Sequence, residues 1–340
     1  MTAAARRSIA TSWVAVLIHF AAGIPAVEAA DTAEPVRLVW PTVAGATVAY
    51  DAYVTQETAP AGVPLDDETW EELIDQIDGD ALSGDARSLV VSLAERLHAM
   101  PLPRDRRSLL RVCGAPDSRG VTIEMTGADP GPPPGPDASD AEREEHIFRK
   151  LEAGILQLWM KLDASGDVQS FYLPQTQKNI AALFFALPGE PVREGDVWGI
   201  PTQLVQLDQR FVPASEAQTS KARLVSLSRD SEGRQHADLL YVVRHRVTGM
   251  TRASPGVEAG PFALEARYLA AATFDVANGS WERYTGELVV TSSGAVDGTG
   301  RQLHALRPLP RGADSRDASE PAPCGEPTAS LPTRVPEEGF

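Results

Sequence analysis

In the segment from 264 to 276, apolar residues recur at every second position, which is the period of a β-strand. Every even-numbered position in it is apolar, and the polar or charged side chains fall at odd positions, at Glu265, Arg267, Thr273 and Asp275. Asn278-Gly279 follows at once, and Asn-Gly between alternating segments is the strongest short hairpin signal in a sequence. One face of this strand is therefore expected to be buried and the other exposed to solvent. The pattern therefore predicts an antiparallel sheet with a single covered side.

The rest of the chain predicts further strands and a few helices. Strands are expected at 36–40, 46–54, 156–162 and 168–173, and over much of 198–307. A helical insert is expected at about 65–112, with helices near 66–78, 85–100 and 105–112, and another helix at 176–187. The predicted fold is α+β and β-dominated. It is a strongly curved antiparallel sheet, an open half-barrel, whose apolar face is covered by the 176–187 helix and the insert helices.

The two ends of the chain have the composition of processed or unfolded segments. Residues 1–29 combine Arg6 and Arg7, an apolar stretch and small residues before Ala30, which is typical of a cleaved secretory signal; an uncleaved anchor helix is the alternative. Residues 30–307 are expected to form one β-rich domain with a Pro-rich disordered linker at 129–137. The tail at 308–340 is expected to be disordered.

Charge restricts the classes of partner. The chain carries 31 Lys and Arg against 47 Asp and Glu, a net charge of −16. Nucleic acids and anionic membrane surfaces attract basic proteins, so both are disfavoured as main partners. The composition, 43% hydrophobic and 23% charged, is that of a soluble globular protein rather than an integral membrane protein.

The two cysteines, Cys113 and Cys324, raise the question of a disulfide. In an exported chain the two cysteines are candidates for a disulfide, and two unpaired thiols are an equal alternative. No cysteine stands directly after the predicted cleavage site, so a lipid-anchored N-terminus is not expected. The predicted location is the periplasm or the extracellular space.

No catalytic constellation emerges from the motifs. The sequence has no Gly-x-Ser-x-Gly, His-Glu-x-x-His, Cys-x-x-Cys, Walker loop or Gly-x-Gly-x-x-Gly. His236 and His245 are expected on adjacent strands and could form a metal or acid–base pair, but two solvated histidines are the simpler interpretation. Nine carboxylates between Asp66 and Asp85 could bind Ca²⁺, against the simpler interpretation of a solvated helix face. We therefore expect no catalytic, metal-binding or cofactor-binding residue, and no cofactor.

One string carries a family resemblance. Leu187-Pro188 ends the predicted helix, and Pro191-Val192, Gly195-Asp196 and Trp198 follow; Asp275, Asn278-Gly279 and Trp281 match a second recurring pattern. Over residues 154–307 the chain resembles uncharacterised bacterial secreted proteins with a LolA/LppX-like, lipoprotein-carrier open β-barrel. The resemblance implies a concave sheet that can hold an acyl chain or a partner segment. It implies no cofactor and no catalytic residue.

Three hypotheses for function follow. The first is an exported, non-catalytic cell-envelope protein that binds a lipid or another hydrophobic ligand in the concave sheet. The second is an envelope interaction or structural protein with no small ligand, and the third is a hydrolase of unknown type. The first predicts an apolar pocket between the 176–187 helix and the strands, since alanines on a covered face leave room. The expected lining residues are Ala266, Tyr268, Ala270, Ala272, Phe274, Leu183 and Phe184.

Overall fold

A computed structural model gives the fold. It describes residues 34–41, 46–57, 67–79, 84–102, 107–114, 120–164, 166, 168–172, 183–205, 207, 211–253, 258–295, 297–309 and 324. Contacts divide the chain into residues 1–33 and 34–340, and every described residue belongs to the second unit. The predicted signal segment and the greater part of the predicted tail lie outside the described residues.

The described chain contains eleven strands, three longer helices and a helical turn at 183–185. The first six strands are β1 Thr47–Glu57, β2 Arg107–Gly114, β3 Gly120–Gly127, β4 Leu156–Asp163, β5 Val168–Tyr172 and β6 Val197–Gly199. The last five are longer: β7 Phe211–Arg229, β8 Gln235–Thr251, β9 Gly260–Asp275, β10 Ser280–Gly294 and β11 Gly298–Pro308. The helices are α1 Asp67–Asp78, α2 Gly84–Ala99 and α3 Asp140–Glu152.

All eleven strands belong to one antiparallel sheet in the order β5-β4-β3-β2-β1-β11-β10-β9-β8-β7-β6. Strand β1 lies between β2 and β11, so the chain's first strand joins its N-terminal and C-terminal meanders. The predicted Asn-Gly hairpin is present between β9 and β10: Gly279 adopts a φ of 62°, and Asp275 Oδ1 accepts a hydrogen bond from the Asn278 N–H at 2.9 Å. The prediction of a β-dominated antiparallel sheet is confirmed.

The sheet is apolar on two faces, where the sequence predicted one. We call the side that carries Tyr268 and Ala270 the Tyr268 face, and the side that carries Leu269 and Ala271 the Leu269 face. Leu240 and Val242 of β8 lie on the Leu269 face, in one buried cluster with the apolar residues of α1 and α2. Those from the helices are Trp70, Leu73, Ile77, Val90, Leu93 and Leu97.

The prediction that the 176–187 helix and the insert helices cover the same apolar face was therefore wrong. Residues 176–182 lie outside the described residues, and within 183–187 only the turn at 183–185 is helical. Leu183 and Phe184 belong to the cluster of the Tyr268 face, which no residue of α1 or α2 joins. The middle of the sheet has a covering on each side. Strands covered on both faces lose the clean alternation that single-sided burial produces, as the apolar odd positions Leu269 and Ala271 show.

Two local predictions were also wrong. The helix expected at 105–112 is the strand β2, because Leu110 and Val112 point into the core while the backbone pairs with β1 and β3. The strand expected at 36–40 forms only an isolated bridge, between Val36 and Val192. Residues 129–137 contain no helix or strand, as their prolines predicted.

Helix α3 follows this proline-rich stretch and was not predicted. A capping box starts it: Ser139 Oγ accepts a hydrogen bond from the Glu142 N–H at 3.2 Å, and Glu142 Oε2 accepts one from the Ser139 N–H at 2.7 Å. None of its residues is buried. Local capping and not core packing specifies this helix.

Candidate functional site

The centre of the Tyr268 face holds a piece of the chain itself. Four consecutive backbone carbonyls, from Leu183 to Ala186, each accept a hydrogen bond from an aromatic side chain of the surrounding structure. The donors and their distances to the acceptor oxygens are Tyr284 Oη to Leu183 at 3.2 Å, Trp281 Nε1 to Phe184 at 2.9 Å, Trp40 Nε1 to Phe185 at 2.9 Å, and Tyr241 Oη to Ala186 at 3.4 Å. We call residues 183–187 the central segment.

These hydrogen bonds satisfy backbone carbonyls that would otherwise be buried without a donor. A short peptide laid on an apolar surface has carbonyls that no ladder satisfies, and each one left unpaired costs about 1–3 kcal/mol. The indole and phenol groups supply donors while their rings fill apolar space. The central segment is therefore held by side chains in a fixed position.

Most of the ring pairs around the central segment pack edge to face, and Tyr284 packs at a tilt against Trp281. Trp281 is at the centre of this arrangement, with ring centroids 4.9 Å from Phe274 and 5.6 Å from Trp40 and Tyr284. Phe184 lies 5.1 Å from Tyr284 and 5.6 Å from His304. Such pairs add about 0.5–1.5 kcal/mol each beyond burial of area.

The seven residues expected to line a ligand pocket do come together, in the buried cluster of the Tyr268 face. None of them is more than 2% exposed: Ala266, Tyr268, Ala270, Ala272, Phe274, Leu183 and Phe184. A side chain that lined a cavity wide enough for an acyl chain would present accessible surface to that cavity. In this structure their neighbours fill the space at these seven side chains, so the room left by the alanines is taken up by protein.

Gly286 shows how close the packing is. It pairs with Ala270 across the strands β9 and β10, and a Cβ added to it would lie 2.8 Å from the Ala270 Cβ. The space beside its backbone is taken by the Tyr268 hydroxyl, which is 2.8 Å from the hydroxyl of Tyr284. Glycine at this position makes room for a buried pair of tyrosines.

His304 lies beside these tyrosines and is fully buried. Its ring centroid is 5.6 Å from those of Tyr268 and Phe184, and Nε2 is 3.3 Å from the Gln302 Oε1. Burial without a carboxylate partner lowers the pKa of His304 to about 4, because desolvation penalises the charged imidazolium.

Acidification is expected to destabilise the protein through His304. The unfolded chain binds a proton at this residue below pH 6.5, whereas the folded chain binds it only near pH 4, so stability falls as the pH drops through that window. The full effect is about 3 kcal/mol. Urea titrations at pH 7 and pH 4.5 should show a smaller loss for His304→Gln than for the unmodified protein. An equal loss in both would contradict this assignment.

The acidic helix α1 is bound to the Leu269 face by ion pairs. Arg267 Nη2 lies 2.5 Å from the Asp67 Oδ1, and Arg244 Nη1 lies 2.5 Å from the Glu71 Oε1. Glu265 bridges the two arginines at 2.6 and 2.8 Å. Two of the nine carboxylates considered for Ca²⁺ thus dock the helix, and others, such as Asp66 and Asp80, lie outside the described residues.

The end of α1 is capped from the sheet. Arg223 of β7 is fully buried and donates from Nη1 to the carbonyls of Gln76, Ile77 and Gly79 at 2.9–3.2 Å. A cation at a helix C-terminus is favoured by the helix dipole, and three carbonyl acceptors compensate for part of its desolvation. This contact fixes the register of α1 on the sheet.

The two histidines considered as a pair lie apart. His236 and His245 are nine residues apart on β8, about 30 Å at strand rise, and on opposite faces. His236 contacts Glu282 at 3.1 Å and Asp230 at 3.4 Å. The buried His245 accepts from the Val205 N–H at 3.1 Å, and its Nε2 is 2.8 Å from Glu216. These contacts give each histidine a separate structural role.

We also searched the described residues for metal-binding clusters and for other pockets. In the described parts of the chain no three His, Cys, Asp or Glu side chains converge as metal ligands. An open depression of about 370 Å³ lies at the far ends of β7 to β10, lined mainly by apolar atoms of residues such as Met250, Pro261 and Phe262. None of the residues that line it is among the seven predicted to line a ligand pocket.

A disulfide joins Cys113 of β2 to Cys324, across a sequence separation of 211 residues. Cys113 is buried, and its neighbours pair with β1 and β3 in the middle of the N-terminal meander. The bond therefore attaches the C-terminal part of the chain to the sheet.

No protein-family model matches the chain, and no curated protein matches it. Among the described residues, no helix has the length and apolar character needed to cross a membrane.

Several residues of the site were missed in the sequence. Trp40, Phe185, Tyr241 and Tyr284 were not singled out, and Trp281 was noted only as part of a pattern. A register shift between Trp281 and Arg283 places Trp281 and Tyr284 on one face although they are three residues apart. A bulge breaks the period of two, so alternation alone could not find this pair.

Proposed function

We propose that this is an exported, non-catalytic bacterial cell-envelope protein that acts through protein–protein contacts and holds no small ligand in its core. The observation that carries the proposal is the central segment, whose four carbonyls are bound by Trp and Tyr side chains on the face where a ligand was expected. In this proposal the sheet curves around its own peptide as an open half-barrel. The architecture resembles that of the lipoprotein carriers, and the central segment of the chain itself occupies the place of the ligand.

Two features support the location. Residues 1–29 have the composition of a secretory signal, and a disulfide such as Cys113–Cys324 persists in an oxidising compartment. The net charge of −16 continues to disfavour nucleic acid and anionic membrane as partners. Neither His236 nor His245 is placed beside a nucleophile or a metal cluster among the described residues, so the hydrolase hypothesis gains no support.

A hydrophobic ligand remains a second candidate at a different place. The open depression at the ends of β7 to β10 is lined almost entirely by apolar atoms, and a surface-bound acyl chain is the chemistry it suits. This candidate needs no displacement of the central segment.

Titration with a fluorescent fatty acid tests the proposal. We expect no saturable binding to the Tyr268 face, because its side chains are packed against one another. Saturable binding that survives Met250→Glu, a change at the depression, would overturn the proposal. Binding that this change abolishes would assign the ligand to the depression and leave the filled core intact.

A further inference from the structure

Two arginines of the Leu269 face lie side by side with no carboxylate bound to either. Strand β10 pairs with β11 at Tyr284 and Leu306. Because both of these residues belong to the Tyr268 face, the next position along that register places Arg283 beside Arg307 on the Leu269 face. In the described part of the chain neither guanidinium forms an ion pair. Like charges on opposite positions of neighbouring strands repel each other and destabilise the sheet.

A second pair of arginines on the same face shows how the chain compensates such repulsion. Arg244 of β8 and Arg267 of β9 also lie directly opposite each other. Glu265 bridges them at 2.6 and 2.8 Å, and each arginine is paired with a further carboxylate of α1. Three carboxylates of the chain thus surround that pair. The pair at Arg283 has no corresponding carboxylate.

The carboxylates nearest to Arg283 and Arg307 do not neutralise them. Asp238 accepts hydrogen bonds from Ser226 Oγ and Thr273 Oγ1, both at 2.8 Å. Asp51 lies opposite Arg307 in the pairing of β1 with β11, but the two do not form an ion pair. The positive charge of the two arginines is therefore available to an anion from solution.

A hydroxyl and an imidazole lie beside the arginines. The buried Thr285 Oγ1 accepts a hydrogen bond from Arg307 Nη2 at 3.0 Å and lies 3.3 Å from His98 Nδ1, in the last turn of α2. Since this hydroxyl accepts from the arginine, it can donate its own proton to Nδ1, which leaves the imidazole proton on Nε2 as a further donor. Burial, and then the charges of Arg283 and Arg307, lower the pKa of His98 to about 4. We call these four residues the anion cluster.

Both arginines keep donors for a ligand. Arg283 is exposed, and its one hydrogen bond runs from Nε to Thr273 Oγ1 at 3.1 Å, so its two Nη groups are available. Arg307 is half-buried and fixed, because its Nη1 donates to the carbonyls of Tyr284 and Leu306 at 2.9 and 3.0 Å. Guanidinium groups bind carboxylate and phosphate oxygens through paired hydrogen bonds.

We propose that the anion cluster binds a phosphate dianion, either free or at the end of a phosphate monoester. Two guanidinium charges match the charge of a dianion, whereas a carboxylate would leave one of them uncompensated. Two arginines are too few for a nucleic acid, which needs a larger basic footprint, and the net charge of −16 disfavours one. The proposal goes beyond the filled core and does not depend on it, because the cluster lies on the opposite face of the sheet.

The exposure of Arg283 predicts weak binding. A dissociation constant of about 1 mM is the strength expected of a few charge-assisted hydrogen bonds made in contact with water. The purified protein should therefore hold the ion only while it is supplied. Because salt screens exposed charges, sodium chloride must keep the ionic strength constant in every titration.

Titration with sodium phosphate at pH 8, followed by NMR of the histidine rings, tests the proposal. We expect a saturable shift of the His98 resonances, which are assigned by their loss in His98→Gln. Arg283→Gln should weaken the binding at least tenfold. Arg246→Gln should change it less than about twofold; it is the matched control, because Arg246 is an exposed arginine of the same face and the change removes the same charge. No saturable shift, or equal weakening by the two arginine variants, would overturn the proposal.

Two further probes define the class of ligand. Glycerol phosphate that binds at least as tightly as inorganic phosphate would assign a phosphate monoester, and weaker binding would assign the free ion; either result keeps the site. Acetate should bind at least tenfold more weakly than phosphate, since it carries a single charge. Acetate that binds as tightly as phosphate would contradict the assignment of a dianion.

Urea unfolding of Arg283→Gln separates a binding role from a structural one. Without phosphate, the variant should unfold at the same urea concentration as the unmodified protein or at a higher one, because the change removes the repulsion from Arg307. Phosphate should raise the unfolding midpoint of the unmodified protein and not that of the variant. A variant that is clearly less stable without phosphate would show that Arg283 holds the fold through Thr273, and would contradict the argument from repulsion.

Discussion

Replacing Ala270 with tryptophan is expected to lower the free energy of unfolding by about 3 kcal/mol or more, or to prevent folding. Ala270 is fully buried and pairs with Tyr241 on one side and Gly286 on the other. Extra atoms in a well-packed core force side chains off their rotamers and shift the backbone, at a typical cost of 1–3 kcal/mol for smaller insertions. An indole at this position would have to displace side chains that already fill the space around it.

Ala217→Trp is the matched control, because Ala217 is an exposed alanine on β7. The same substitution there should change the stability by less than about 0.5 kcal/mol. Urea unfolding followed by circular dichroism measures both. A stable Ala270→Trp variant would show that the Tyr268 face has unfilled space, as the sequence alone had predicted.

Removing the disulfide should have the second large effect. The bond closes a loop across 211 residues, and the chain-entropy model assigns about 5 kcal/mol to such a loop. Cys324→Ala should therefore unfold at a clearly lower urea concentration than the unmodified protein under oxidising conditions. The entropy lies in the unfolded chain, so the folded structure should show little change by circular dichroism.

Reducing conditions provide the control for this prediction. With the bond reduced, the unmodified protein and Cys324→Ala should unfold at nearly the same urea concentration. A persistent difference under reducing conditions would mean that Cys324 stabilises the fold through contacts and not through the covalent link. Equal stability of the two under oxidising conditions would contradict the role of the bond.

The parts of the fold that could be predicted are those where one local rule decides. The Asn278-Gly279 turn and the alternation from 264 to 276 each specify a hairpin, and both are present. The apolar period of α1 likewise specifies a helix. In each case the neighbours in sequence supply the contacts that matter.

The missed parts depend on distant residues. Leu269 and Ala271 are buried because α1 and α2 return to that face, which the strand's own sequence cannot show. Leu110 and Val112 fit a helix as well as a strand until β1 and β3 are known to flank them.

The candidate site depends even more on contacts between residues that are far apart in sequence. The sequence identified which small and aromatic residues would share a face, and it placed Leu183 and Phe184 over them, but it did not show the hydrogen bonds that hold the central segment there. The carbonyls of the central segment and their Trp and Tyr donors are separated by as many as 145 residues, as for Trp40 and Phe185. No local pattern connects an indole to a carbonyl at that distance.

Native mass spectrometry of the protein purified from the organism that makes it tests the central claim most directly. We expect the mass of the polypeptide with its disulfide and no additional bound species. A stoichiometric lipid or other apolar molecule, released only when the protein unfolds, would show that the Tyr268 face encloses a ligand and would contradict the filled core.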